Sequence, residues 1–122
     1  MEPAQKMSES EMEVMEAVWA FDGPVTSAQV QERLSARGWK PTTVLTFLSR
    51  LTEKGLLARE KNGKLNHYVP LLTSSEYKEW ETRSFLNEVH GGSLRSFFAA
   101  LSGEEKLTEA DVEELKHWLD EQ

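Results

Sequence analysis

Four hydroxyl side chains and one arginine lie between residues 42 and 50. The apolar residues among them recur at helical spacing, which predicts one buried helix face: Val44, Phe47, Leu48 and Leu51. The remaining side chains then face outward, with short threonines near the helix start and a long arginine further on. Short hydroxyls let a backbone approach the major groove, and arginine can reach base edges. The predicted base contacts are Thr42, Thr43, Thr46 and Arg50.

Basic residues are concentrated around this helix although the chain as a whole is acidic. The 122 residues have a formal net charge of −7, yet residues 33–64 contain eight basic and two acidic side chains. A phosphate responds to the local field, which the charge of the whole chain hides. The predicted phosphate contacts are Lys40, Lys54, Arg59, Lys61 and Lys64.

Capping signals predict the helices that position these side chains. Ser8 with Glu11 and Thr26 with Gln29 have capping-box spacing, in which each pair satisfies backbone N–H groups at a helix start. A third helix is predicted over about residues 41–54, with a proline in its first turn, where the missing N–H has no cost.

A β-hairpin is predicted to follow the third helix. Asn62 and Gly63 stand between two short alternating runs, and both residue types tolerate the positive φ of a tight turn. Three helices and a hairpin with a basic tip are typical of a winged helix-turn-helix. The predicted fold is therefore mainly α with a small β-hairpin wing, and residues 1–72 are predicted to be a DNA-binding domain.

Residues 73–122 are predicted to form a helical dimerisation domain. Their large apolar side chains are too many for two or three short helices to bury, so a second copy is expected to cover them. A symmetric dimer sets two recognition helices about one DNA turn, ~34 Å, or a multiple apart, which suits a palindromic operator. The predicted interface comprises Trp80, Phe85, Leu94, Phe97, Phe98, Leu101, Val112, Leu115 and Leu119.

Several classes of function are not supported by the sequence. There are no cysteines, which excludes disulfides and thiolate chemistry, and no His/Glu pair has metal-ligand spacing on one helix face. No phosphate-binding loop or nucleophile elbow is present. We therefore expect no metal, no cofactor and no enzyme. The absence of a long apolar stretch and of a signal peptide predicts a cytoplasmic protein that does not insert into a membrane.

Four segments resemble the penicillinase-repressor (BlaI/MecI) family of bacterial regulators. They are ESEMEVMEAVW, KPTTVLTFLSR, LTEKGLLAREKNGKLNHYVP and FLNEVHGGSLRSFFAAL, which together span most of the chain. The resemblance implies a winged-helix N-terminal domain, a C-terminal dimerisation domain, and repression of antibiotic-resistance genes at a palindromic operator. It also implies that Thr43, Thr46 and Arg50 occupy the family's recognition-helix Thr, Thr and Arg positions.

The resemblance further implies a mode of release. In such families a membrane-bound, β-lactam-sensing metalloprotease triggers cleavage of the repressor within its dimerisation helices. The corresponding position here is Ala100-Leu101, where the family has an Asn-Phe pair. Two further departures lie near the recognition helix: Lys40 stands where a serine cap is frequent, and Leu45 where a polar residue is usual.

Two alternative functions are compatible with the same pattern. One is a MarR-like winged-helix regulator that a small ligand releases from DNA. The other is a winged-helix protein-interaction module that does not contact DNA.

Overall fold

The computed structural model describes Pro3, residues 5–103 and residues 107–122. The described chain is mostly helical with one two-stranded antiparallel hairpin, which confirms the predicted fold class. In order, the elements are α1 (Glu9–Trp19), α2 (Ser27–Arg33), α3 (Pro41–Glu53), β1 (Leu57–Asn62), β2 (Leu65–Pro70), α4 (Ser74–His90), α5 (Leu94–Leu101) and α6 (Glu109–Asp120). A 3-10 turn over Ser35–Arg37 lies between α2 and α3.

Both predicted capping boxes are confirmed. The Ser8 hydroxyl accepts from the Glu11 backbone N–H at 3.2 Å, and Glu11 Oε1 accepts from the Ser8 N–H at 2.9 Å. Thr26 and Gln29 form the same reciprocal pair at the start of α2. These bonds satisfy N–H groups that have no partner inside the first turn of a helix, so both starts are determined locally.

The hairpin is confirmed, but its predicted turn is wrong by one residue. Asn62 pairs with Leu65, so the two turn residues are Gly63 and Lys64. Gly63 has a φ of +68°, and among the described residues positive φ occurs only at glycines. A turn with positive φ at its first central position alone has the type II′ pattern, which favours glycine there. The strand ladder therefore extends through Asn62, and Lys64 lies in the turn itself.

The chain divides into two compact units, Met1–Glu81 and Thr82–Gln122, later than the predicted boundary after residue 72. Tyr77 explains the difference, because this residue of α4 is fully buried in the first unit. Its hydroxyl accepts from the Met7 backbone N–H at 2.8 Å, and its ring centroid lies 6.4 Å from that of Trp19. The first turns of α4 therefore belong to the first unit.

The hydrophobic core of the described residues lies in the first unit and extends from Met7 to Tyr77. Its side chains come from α1, α2, α3, the hairpin, the start of α4 and the segments that adjoin these elements. By contrast, neither α5 nor α6 contains a buried residue. The two units thus differ sharply in how much apolar surface they remove from water.

An ion pair between buried Glu11 and half-buried Lys54 joins the start of α1 to the end of α3. Lys54 Nζ lies 2.5 Å from Glu11 Oε1 and also donates to the Lys6 carbonyl at 3.1 Å. The Glu11 side chain is 3% exposed. Burial raises the pKa of the Glu11 carboxyl, but the hydrogen bonds from Lys54 and Ser8 outweigh it, so this pKa lies below its ordinary value.

Replacing Lys54 with methionine should lower the free energy of unfolding by about 3 kcal/mol, because Glu11 would remain buried without its cation. The exposed Lys61→Met is the matched control and should change it by less than about 0.5 kcal/mol. Because folding lowers the pKa of Glu11, the ion pair stabilises the folded state at pH values above the pKa of Glu11 in the unfolded chain. This stabilisation is lost as the pH falls through the lower pKa of the folded state. Urea denaturation at neutral and acidic pH measures both effects. Equal values for the two variants at neutral pH would contradict the assignment.

Candidate nucleic-acid interface

Helix α3 has one face in the core and one in solvent. Val44, Leu48 and Leu51 are at most 1% exposed, and they hold the helix against the rest of the first unit. The predicted base contacts Thr42, Thr46 and Arg50 are exposed, while Thr43 is half-buried. The structure thus places all four predicted side chains on the same helix, and three of them are open to solvent: Thr42, Thr46 and Arg50.

The outward threonines differ in what they can offer a base. The Thr46 hydroxyl donates to the Thr42 backbone carbonyl at 2.9 Å, so its proton is already engaged. Its oxygen can still accept, and its methyl group can pack against an apolar surface. Hydroxyl donation to the preceding turn is common for helical threonine. Thr46 therefore presents mainly acceptor and methyl surface, whereas Thr42 takes part in this bond only through its backbone carbonyl.

A pair of tilted aromatic rings packs at the start of α3. The Trp39 ring centroid lies 5.0 Å from that of Phe47, and the Arg37 guanidinium lies 4.6 Å from the Trp39 centroid. The Trp39 carbonyl accepts from the Gln31 side-chain amide at 3.3 Å. As expected, Lys40 gives α3 no side-chain cap. Trp39 was not among the predicted functional residues, although a tryptophan between a helix stop and Pro41 is a recognisable signal for such packing.

Arg59 connects the hairpin to α3. From β1 its Nη2 donates to the Ser49 hydroxyl of α3 at 3.3 Å, and its guanidinium lies 5.7 Å from the Tyr68 ring centroid. Lys61 and Lys64 are exposed near the end of the hairpin. Two predicted phosphate contacts therefore lie at the tip, while Arg59 also orients the hairpin against α3.

Lys54 is placed differently from the other predicted phosphate contacts. Its ammonium group is bound to Glu11 and to the Lys6 carbonyl, and its side chain is 20% exposed. Binding a phosphate would require it to leave a buried carboxylate without a partner. The structure thus gives Lys54 a role inside the domain. No sequence signal indicated this, because the two partners lie 43 residues apart.

Comparison with known proteins assigns the family. The model of the penicillinase-repressor family matches residues 7–121. The chain belongs to this family. It is 31% identical to the penicillinase repressor of Bacillus licheniformis over 99% of this chain and 94% of that protein. It is 30% identical to the methicillin resistance regulatory protein MecI of Mammaliicoccus sciuri over 93% of each.

Solved structures agree with membership of the penicillinase-repressor family. The solution structure of the DNA-binding domain of the repressor BlaI matches with a TM-score of 0.54 and 33% identity, over 63% of this chain and 94% of that one. The monomeric form of Bacillus licheniformis BlaI in complex with the blaP half-operator matches with a TM-score of 0.52 and 33% identity. The first unit of this family member is therefore a winged helix. A repressor family is not a class of enzyme. Membership of the penicillinase-repressor family favours a repressor of this type over a MarR-like regulator.

The second unit of this penicillinase-repressor family member exposes much of its apolar surface. Of the predicted interface residues in this unit, Phe85, Leu94, Leu101 and Leu119 are 43–60% exposed. The others are half-buried: Phe97, Phe98, Val112 and Leu115. Val89 and Trp118, which were not in the predicted set, are 61% and 54% exposed.

Trp80 has surroundings different from those predicted for it. It packs against the core of the first unit, with its ring centroid 5.8 Å from that of Tyr77. Its assignment to a dimer interface assumed a domain boundary before α4. Because the first turns of α4 are anchored by Tyr77, Trp80 stabilises the winged helix.

No helix in residues 5–103 or 107–122 combines the length and the apolar composition needed to cross a bilayer. The predicted cleavage position Ala100-Leu101 lies in the last turn of α5, and both residues are exposed.

Proposed function

We propose that this protein is a cytoplasmic DNA-binding repressor that binds a palindromic operator as a homodimer. The observation that carries the proposal is the outward face of α3, where Thr42, Thr46 and Arg50 are exposed opposite a fully buried apolar face. A helix anchored in this way can enter the major groove without rearranging the domain. The solved complex of Bacillus licheniformis BlaI with the blaP half-operator supports the proposal that this chain binds DNA.

Base contacts and phosphate contacts are assigned to different parts of the surface. Arg50 and the outward threonines of α3 would contact base edges, with half-buried Thr43 at the margin. Lys40, Lys61 and Lys64 are exposed and would contact phosphates, as would the outer edge of Arg59. Lys54 is left out because it neutralises Glu11. Phosphate contacts fix position and orientation, while the base contacts select the sequence.

Replacing Lys61 and Lys64 together with alanine should weaken binding to all DNA sequences alike. Each lost phosphate contact removes about 0.9 from the slope of log K against log salt, so the slope should fall by about one to two. Titrations at several salt concentrations measure it, with the exposed Lys78→Ala of α4 as control. A changed sequence preference with an unchanged slope would show that the hairpin tip reads bases instead.

The second unit supports the homodimer. Its helices α5 and α6 contain no buried residue, and large apolar side chains on them are exposed. Exposed apolar area of this kind marks an interaction surface. Because a palindrome has two-fold symmetry, a second copy of the chain is the partner that also fits the operator.

We propose a target gene for the repressor and a way in which it is released from the operator. The names of the relatives associate them with penicillinase and methicillin resistance, so we propose a resistance or stress-response gene as the target. A membrane-bound sensor metalloprotease pathway would release the operator by cleavage at Ala100-Leu101. This bond lies in the last turn of α5, where helices fray, and it precedes all of α6.

Capture of genomic fragments on the full-length protein tests the proposal directly. Sequenced fragments should share an inverted repeat, and binding should weaken steeply as salt rises. A version ending at Ala100, which imitates the cleaved product, should lose both dimerisation and operator binding. Failure to enrich any sequence above a bare-matrix control would favour a protein-interaction module. Full binding by the shortened version would refute release by cleavage.

A further inference from the structure

An apolar side chain lies on the solvent side of the recognition helix. Leu45 of α3 is 42% exposed, whereas the helix already buries Val44 and Leu48 completely or nearly so. The core does not use Leu45 to hold the helix. A leucine at this position exposes apolar area that a polar residue would not, so its contribution is expected in a complex and not in the isolated domain.

The position of Leu45 on the helix places it among DNA-facing groups. Residues three and four apart in a helix are surface neighbours, so Thr42 lies about one turn before Leu45 and Ser49 about one turn after it. Ser49 in turn accepts the hydrogen bond from Arg59 of the hairpin at 3.3 Å. Leu45 therefore lies on the flank of α3 that faces the hairpin, whereas Arg50, about 140° further round the helix, lies towards the other flank.

We propose that Leu45 contacts the 5-methyl group of a thymine and thereby determines the preferred base at one position of each half-site. This inference rests on the proposed function, since it requires α3 to lie in the major groove. Thymine alone among the four bases presents a methyl group there, and an apolar side chain is its natural contact. The hydroxyls of Thr42 and Ser49 beside it would satisfy polar groups of neighbouring bases or phosphates.

Deoxyuridine substitution tests the contact because it removes the methyl group and nothing else. The full-length protein first selects a duplex from a random library, and each thymine of that duplex is then replaced in turn by deoxyuridine. At one position in each half-site, this replacement should weaken binding of the wild-type protein about fourfold, which is the effect of removing one methyl-sized apolar group. The Leu45→Ala variant should bind the thymine and deoxyuridine forms of that position equally.

Leu65→Ala is the matched control, because Leu65 is an exposed leucine on the hairpin, outside α3. This variant should retain the full sensitivity of the wild-type protein at the same position. Sensitivity that persists in Leu45→Ala, or no sensitive thymine at all in a tightly bound duplex, overturns the inference and leaves the proposed function standing. Failure of the protein to select any duplex overturns both.

Discussion

Replacing Arg50 with alanine should reduce affinity for the operator by about five- to 150-fold, equivalent to about 1–3 kcal/mol. The guanidinium is exposed on the outward face of α3, where its two parallel donors can bind one guanine. Alanine removes these donors and leaves the buried face of the helix unchanged. Fluorescence anisotropy with the selected operator measures the loss, and thermal melting should show no change in stability.

Arg50→Lys separates base reading from simple charge. Lysine keeps the positive charge but lacks the planar fork, so it should keep affinity for unrelated DNA and lose most of the discrimination. If Arg50→Ala instead weakens operator and unrelated DNA by the same factor, Arg50 contacts phosphate. Unchanged operator affinity would remove Arg50 from the interface altogether.

Placing a charge on the apolar face of α5 should separate the dimer. Leu94 is 60% exposed in the single chain, so Leu94→Glu should leave the fold of the chain intact. In the dimer the same carboxylate would be buried against apolar surface, at a high energetic cost. We expect a monomer by sedimentation and operator binding weaker by about a hundredfold or more, since the second half-site is no longer bound at high effective concentration.

Ala99→Glu is the matched control for this variant. Ala99 is also exposed and lies on the same helix, but helical geometry places it on the side opposite Leu94, Phe97 and Leu101. It should therefore remain dimeric and bind the operator normally. Equal behaviour of the two variants would show that this face of α5 is not the interface, and a wild-type monomer would refute the homodimer itself.

Short-range features of this protein follow from the sequence alone. The capping boxes of α1 and α2 are pairs three residues apart, and their hydrogen bonds need nothing from the rest of the chain. The buried stripe of α3 is set by helical periodicity, which also determines that Arg50 faces outward. The family resemblance is likewise a property of the sequence. For these reasons the winged-helix fold and the outward face of α3 could be predicted.

Features that depend on distant partners were decided by the tertiary structure. Lys54 was indistinguishable from the other lysines until the fold brought it to Glu11, 43 residues earlier. Tyr77 and Met7 lie 70 residues apart in sequence. Their hydrogen bond anchors the start of α4, including Trp80, in the first unit. The one-residue shift of the turn likewise depends on which residues of β1 and β2 face each other. Charge and hydrophobicity can be read from the chain, but whether a charge is buried beside its counterion depends on contacts that local periodicity does not encode.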